Sequence, residues 1–243
     1  MKAALATLAA LVGCIALQAA EPVEDGEATR SQDAWRARLA EWREQILGDD
    51  RSDIASAVDA VRNIASPSAA LPLAELYEDE DNANLRRLWI ETLGGLDSPH
   101  AGQALVKAAL RDDTKGVREA ALDQIELRHN QPIVEKLTAA LKSEDHTIVN
   151  RAAAALERVN DPSTVLPLID ALVTRHRFAV EHGGFGGIPR VKAVTHSIAN
   201  HKVLSALRSI SRSHYDINAN FQYDKEAWRS WHETLGDDED LNR

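Results

Sequence analysis

A repeated unit runs through the middle of the chain and limits its fold more than any other feature. Four segments carry a proline near their start and an apolar pattern after it: SPSAALPLAEL, SPHAGQALVKAAL, NQPIVEKLTAAL and DPSTVLPLIDAL. The prolines stand at positions 67, 99, 132 and 162, in steps of 32, 33 and 30 residues. A period of this length with helical patterning inside each unit is typical of a solenoid, in which neighbouring repeats bury one another's apolar faces.

Each unit is predicted to contain two antiparallel helices. Apolar residues spaced by three and four positions mark the first helix, as at Val117, Ala120, Ala121 and Ile125. The second helix is predicted to begin at the registered proline, because the first N–H groups of a helix have no partner inside it and proline has no N–H to lose. The prolines therefore punctuate the repeat and do not break its helices.

An acidic residue precedes a Val-Arg or Leu-Arg dipeptide in the turns between units. Asp113 is followed by the Val-Arg pair that ends at Arg118, and Asp81 by the Leu-Arg pair that ends at Arg86. In this pattern the units resemble HEAT repeats, over about half of the chain. The resemblance implies an all-α fold: an α-solenoid of about four HEAT-like helical hairpins with N- and C-terminal capping helices and a small β-hairpin insertion.

The resemblance also implies a structural ladder between the repeats. An Asp at the turn can cap the following helix, and an Arg one turn later can reach a carboxylate of the adjacent repeat. In the third unit Asn150 stands at the arginine position, which interrupts the ladder there. The residues assigned to the ladder, which hold the repeats in register and carry no chemistry, are Asp81, Arg86, Asp113, Arg118 and Asp145.

The N-terminal residues combine one lysine with a short apolar stretch, which is the pattern of an export signal. Leu11 to Cys14 resemble a bacterial lipobox, in which the cysteine is lipidated and becomes the new N-terminus. The alternative is ordinary cleavage near Ala19 or Ala20. Both interpretations place the mature protein outside the cytoplasm, in the periplasm or on a membrane through a lipid at Cys14.

The flanks of the repeats are predicted to close the solenoid. Trp35, Leu39 and Trp42 share one face of an N-terminal helix, and a last helix begins at Asp224 with Trp228 on its buried face. The C-terminal FQYDKEAWRSW is similar to the ending of some exported bacterial HEAT-repeat proteins of unassigned activity. The predicted organisation is a signal peptide (1–20), a tether (21–33), the N-cap helix and repeats (34–175), a β-hairpin (176–200), capping helices (201–236) and an acidic tail (237–243).

The predicted hairpin is the clearest departure from the repeat. Two β-branched, alternating stretches flank a glycine-rich loop, which indicates two strands and a turn. A large apolar residue in that loop has few core atoms to contact, and binding energy often concentrates in exposed aromatic side chains. The candidates for binding a partner are Phe185 and its neighbours Gly183, Gly184, Gly186 and Gly187.

Histidines are enriched in the last third of the chain, and a hairpin brings His176 or His182 towards His196. Neutral imidazoles are common ligands of zinc and copper. The spacing of these histidines matches no metal motif, and no paired histidines stand four positions apart on a helix. The sequence therefore predicts no metal and no cofactor, and His176, His182 and His196 are the residues to test first.

Composition and missing motifs narrow the function. A formal net charge of −10 argues against nucleic-acid binding, which needs a basic face. No GxSxG nucleophile motif occurs, and the serines at turns are explained by helix capping. We therefore expect a non-catalytic, protein-binding scaffold of the cell envelope. Two alternatives stay open: an enzyme or subunit resembling the HEAT-like bilin lyases, and an envelope protein that binds metal through its C-terminal histidines.

Overall fold

The computed structural model describes residues 24–128, 130–182, 190–217 and 220–241. Its helices are α1 (Glu24–Leu47), α2 (Arg51–Arg62), α3 (Ala70–Glu78), α4 (Ala83–Gly94), α5 (Pro99–Arg111), α6 (Lys115–Arg128), α7 (Gln131–Ala140), α8 (His146–Val159), α9 (Val165–Ala171), α10 (His201–Tyr215) and α11 (Lys225–Leu241). Strands β1 (Val173–His182) and β2 (Arg190–Ala199) form an antiparallel hairpin. None of the helices in these ranges is long and apolar enough to cross a membrane.

The helices pack in two layers. Helices α2, α4, α6, α8 and α10 follow one another in the even layer, and α1, α3, α5 and α7 follow one another in the odd layer. Each helix also contacts its chain neighbour in the other layer, as α5 contacts α6 and α7 contacts α8. This is the all-α solenoid with a small β insertion that the repeat predicts.

The core follows the sequence period. Leu73, Leu105, Leu137 and Leu168 occupy equivalent positions in the second helices, and all four are 0% exposed. The first helices likewise bury Val117 and Val149. Because each repeat presents the same apolar positions to its neighbours, the core continues from repeat to repeat.

The registered prolines stand where the second helices begin. Pro99 and Pro132 lie in the first turns of α5 and α7, while Pro67 and Pro162 open short 3₁₀ turns that lead into α3 and α9. Side chains cap three of these starts by accepting backbone N–H bonds: Ser98, Asn130 and Asp161. The prediction of proline-initiated helices is confirmed.

The N-terminal helix is longer than expected. Leu39 is buried, and Trp35, Trp42 and Ile46 pack against the core, as predicted for a cap. The helix begins at Glu24, however, within the segment assigned to a tether. Extending an existing helix is cheap because each added residue gains one hydrogen bond, and Ser31 donates to the Ser68 hydroxyl at 3.2 Å, which fixes the helix against the first repeat.

Aromatic packing closes the C-terminal end. Asp224 caps α11 by accepting the amide of Ala227 at 3.0 Å, as predicted. Trp228 is fully buried, with Phe221 edge-on at a ring distance of 5.2 Å. Helix α11 continues past Gly236 to Leu241, although the sequence predicted an end at the glycine. Glycine inside a helix costs only about 1 kcal/mol, which an established helix can absorb.

Candidate interaction surface

Buried ion pairs join α1, α4 and the turns of the first repeats. Arg86 of α4 donates to both oxygens of Asp112, at 3.0 and 3.2 Å, and the side chain of Asp112 is only 3% exposed. The Tyr77 hydroxyl and the Thr114 amide donate to the same carboxylate, at 3.0 and 2.9 Å. Asp112 is therefore held by four donated hydrogen bonds and closes the turn between two repeats.

The electrostatics of this cluster follow from burial and pairing. Burial acts to raise the pKa of Asp112, but the bonds from Arg86, Thr114 and Tyr77 outweigh it, so the pKa lies below its ordinary value. Burial raises the pKa of Tyr77, and the neighbouring Asp112 charge adds to that shift. The carboxylate stays ionised and the phenol stays neutral, which are the states that the hydrogen bonds require.

A second pair of the same kind ties α1 to the first repeat. Arg43 donates to both oxygens of Glu80, at 2.6 and 3.3 Å, and the Glu80 side chain is 1% exposed. Burial acts to raise the pKa of Glu80, but the bonds from Arg43 and the Asn82 amide lower it below its ordinary value. Glu80 and Asp112 thus occupy equivalent turns, and each accepts two hydrogen bonds from an arginine.

The residues assigned to the ladder make different kinds of contact. Arg86 contacts Asp113 at 2.6 Å as well as Asp112, so it does reach carboxylates of the next turn. Asp81 offers Arg86 its carbonyl, at 2.9 Å, and the cap of α4 is Asn82, which accepts the Asn84 amide. Asp112 was not among the residues predicted for the ladder. Its position 32 residues after Glu80, one repeat period, is the sequence feature that could have identified it.

The contacts of the ladder change at Arg118. This guanidinium donates to the carbonyls of Asp112 and Asp113, at 2.9 and 2.8 Å, and is paired with no carboxylate in the described part of the chain. Asp145 instead caps α8 by accepting the Thr147 amide at 2.8 Å. Arg151 donates to the Leu110 carbonyl at 2.8 Å, and its pKa is lowered by burial and then by the nearby charge of Arg118.

Asn150, at the next arginine position, joins the last repeat to the hairpin base. Its amide nitrogen donates to the Asn200 side-chain oxygen at 3.0 Å, and its oxygen accepts the Lys202 amide at 2.9 Å. Asn200 is fully buried and donates to the Ala171 carbonyl and the Thr174 hydroxyl, at 2.8 and 2.7 Å. An amide serves here because the partners include both donors and acceptors, which arginine alone cannot satisfy.

Three clefts with shared lining residues lie along the odd layer and its turns. A cleft of about 190 Å³ between α3 and α5 has Leu71, Ala74 and Ala104 on its walls. It shares Glu75 with a cleft of about 170 Å³ between α1 and α3, and shares Glu78 with one of about 280 Å³ beside Tyr77. We call these three clefts together the α1–α3–α5 groove.

Charged side chains of both signs rim this groove. Lys107 pairs with Glu78 at 2.6 Å across the α3–α5 cleft, and Arg36 donates to both oxygens of Glu75 at 2.8 and 3.0 Å. The hydrogen bonds from Arg36 lower the pKa of Glu75 below its ordinary value. Small apolar residues between paired, half-exposed charges make a surface that another protein can cover.

The hairpin and N-terminal candidates are described only in part. Phe185, Gly183, Gly184, Gly186, Gly187 and Cys14 lie outside the described residues. The strand register pairs the backbone of His176 with that of His196, and places His182 opposite Arg190. Within the ranges that the structure describes, no group of three or more His, Cys, Asp or Glu residues is arranged to hold a metal ion.

A comparison with known protein families agrees with this architecture. Residues 39–126 match the family model for HEAT repeats, a span that begins in α1 and ends in α6. No curated protein matches the chain. The match and the two helical layers together support a HEAT-like repeat protein.

Proposed function

We propose that this protein is a non-catalytic scaffold that binds another protein along the α1–α3–α5 groove. The observation that carries the proposal is the groove itself: adjoining clefts with apolar residues on their walls and charges of both signs around them, lined mainly by α1, α3 and α5. HEAT repeats commonly form protein-interaction scaffolds, which supports the same function.

The distribution of charge supports an interaction role for the groove. Glu80 and Asp112 line the cleft beside Tyr77, but both are buried and form pairs that hold the repeats together. The pair in the α3–α5 cleft is far more exposed, at 44% for Lys107 and 50% for Glu78. Exposed pairs contribute little to folding, so they can exchange partners with a bound protein at small cost.

The proposed setting is the cell envelope. The apolar residues 1–20 act as an export signal, and Cys14 carries the lipid that attaches the protein to a membrane. The negative net charge suits a protein partner and opposes binding to nucleic acid. A Cys14→Ser variant that fractionates with membranes and is processed like the unchanged protein would refute the lipid anchor while leaving the scaffold proposal intact.

A photo-crosslinking amino acid tests the groove directly in the cells that make the protein. Gln103, exposed in the α3–α5 cleft, is replaced by the crosslinker, and exposed Asp59 on α2 of the even layer serves as the matched control. We expect a discrete crosslinked species of higher mass from Gln103 and none from Asp59. Crosslinking of equal intensity at both positions, or none at Gln103, would contradict the proposal.

A further inference from the structure

A second groove lies at the other end of the solenoid, between α8, α10 and residues 222–223. Its volume is about 590 Å³, which falls in the range of ligand-binding clefts. Four residues of α10 on its wall are spaced by four, three and four positions, so they lie on one face of the helix: His201, Ser205, Arg208 and Arg212.

The wall of this groove is positively charged in a strongly acidic chain. Arg208 donates to the side-chain oxygen of Asn220, a neutral partner, and no described carboxylate forms an ion pair with it. A guanidinium has five N–H donors, so the bond to Asn220 leaves donors available to a ligand. The carboxylate on the wall, Glu157, accepts a hydrogen bond at 2.9 Å from the hydroxyl of Ser205, which is a neutral donor.

The opposite wall is fixed by the aromatic cap. Trp228, fully buried, donates its indole N–H to the Gln222 carbonyl at 3.0 Å. Gln222 has a positive φ of 54°, and its side chain donates to Asn220 at 3.1 Å. Tyr223, which follows this turn, and Leu204 of α10 both line the groove. The groove therefore offers arginine side chains together with two apolar side chains, and the turn that carries Tyr223 is fixed before any ligand binds.

We propose that this groove binds a carboxylate carried by a peptide segment of a protein partner. Guanidinium groups recognise carboxylates through paired N–H donors, and Arg208 and Arg212 stand one helical turn apart. Tyr223 and Leu204 offer apolar contact to the side chains that flank such a carboxylate in a peptide. A free inorganic anion has no such side chains. The inference extends the proposed scaffold function to a second site, and it does not depend on the α1–α3–α5 groove.

Calorimetric titration of the purified protein tests the assignment with three probes. The acidic peptide acetyl-LEELEE-amide supplies carboxylates beside leucines, acetyl-LQQLQQ-amide is its neutral match, and inorganic phosphate represents a free anion. We expect saturable binding of the acidic peptide alone. The Arg208→Gln and Arg212→Gln variants are expected to raise its Kd by about tenfold or more, which is about 1.4 kcal/mol.

The control variant removes one positive charge elsewhere. Arg87→Gln on α4 breaks an exposed pair with Glu91 and is expected to leave the Kd unchanged. Arg212 is exposed, so its variant is expected to remain folded, which its thermal transition checks. Equal binding of the two peptides, an unchanged Kd in both arginine variants, or binding of phosphate without the acidic peptide would each overturn the proposal. None of these results affects the crosslinking test at Gln103.

Discussion

The two ends of the solenoid hold their repeats together by different chemistry. At the N-terminal end, Arg43 with Glu80 and Arg86 with Asp112 form ion pairs whose carboxylates are buried. At the C-terminal end the neutral side chains of Asn150 and Asn200 make the equivalent connection. Arg118, between them, bonds to carbonyl oxygens and to no carboxylate among the described residues. The difference shows that the arginine–carboxylate pairs of the first repeats give way to carbonyl and amide contacts before the hairpin and the cap begin.

The largest expected effect comes from breaking the buried pair of the N-terminal end. Arg86→Met leaves Asp112 buried without its cation, which typically costs about 3 to 5 kcal/mol. Arg118→Met is the matched control, because Arg118 occupies the same repeat position and makes the same bonds to turn carbonyls. We expect it to cost about 1 kcal/mol. Urea unfolding of both variants measures the difference, and equal losses would show that the carboxylate pair adds nothing.

Acid is expected to weaken the N-terminal pairs and to spare the C-terminal amides. The pKa values of Glu80 and Asp112 are lower in the folded protein than in the unfolded chain, so protons favour unfolding. Their contribution is complete above their unfolded pKa values of about 4 and is lost as the pH falls towards the folded values.

Unfolding free energies measured from pH 7 downwards check this expectation. An Asp112→Asn variant should show a flatter decline in acid than the unchanged protein, while Asn200→Ala should keep the original slope. A decline that is the same in all three proteins would mean that other groups control the acid sensitivity.

A smaller loss is expected from removing the buried amide of the C-terminal end. Asn200→Ala deletes the donors to Ala171 and Thr174 and leaves the Ala171 carbonyl without its side-chain partner, for a cost of about 1 to 3 kcal/mol. The control is Asn63→Ala, an exposed asparagine whose amide bonds to the Asp59 carbonyl at 2.7 Å. Thermal unfolding should separate the two variants, and an unchanged transition in Asn200→Ala would contradict a structural role for this network.

The smallest effect is expected from the exposed pairs between α6 and α8. Arg158 contacts Glu119 and Asp123, each at 2.6 Å, and all three side chains are partly exposed. Arg158→Gln should cost about 1 kcal/mol or less, and about 0.5 M NaCl should remove most of the difference by screening. The cost of Arg86→Met should change far less with salt, because Asp112 is buried. A salt-independent cost at Arg158 would contradict this comparison.

The fold was predictable because the same helical pattern recurs in four units of the sequence. Leu73, Leu105 and Leu137 stand at equivalent positions of the sequence, and a single helical hairpin cannot bury them without its neighbours. The start of α1 was not predictable in this way. The polar segment before Trp35 lacks an apolar pattern, and its helix is favoured by extension from a helix that tertiary contacts already hold.

The contacts made at the candidate sites were harder to predict from the sequence. An acidic pair such as Asp112 and Asp113 offers two carboxylates, and only the packing of α4 on the turn decides which one is buried. Arg43 lies outside the repeat, so no period points to its pairing with Glu80. The spacing of Arg208 and Arg212 was visible on α10, but the approach of Tyr223 depends on a turn of irregular backbone.

Hydrogen–deuterium exchange of the protein with its crosslinked partner tests the central claim most directly, because it reports every helix in one measurement. If the α1–α3–α5 groove binds the partner, the peptides that cover α3 and α5 should exchange more slowly in the complex, while those that cover α4 and α6 should keep their rates. Protection confined to the even layer, or absent from both layers, would contradict the account of this solenoid as a scaffold that binds through its odd layer.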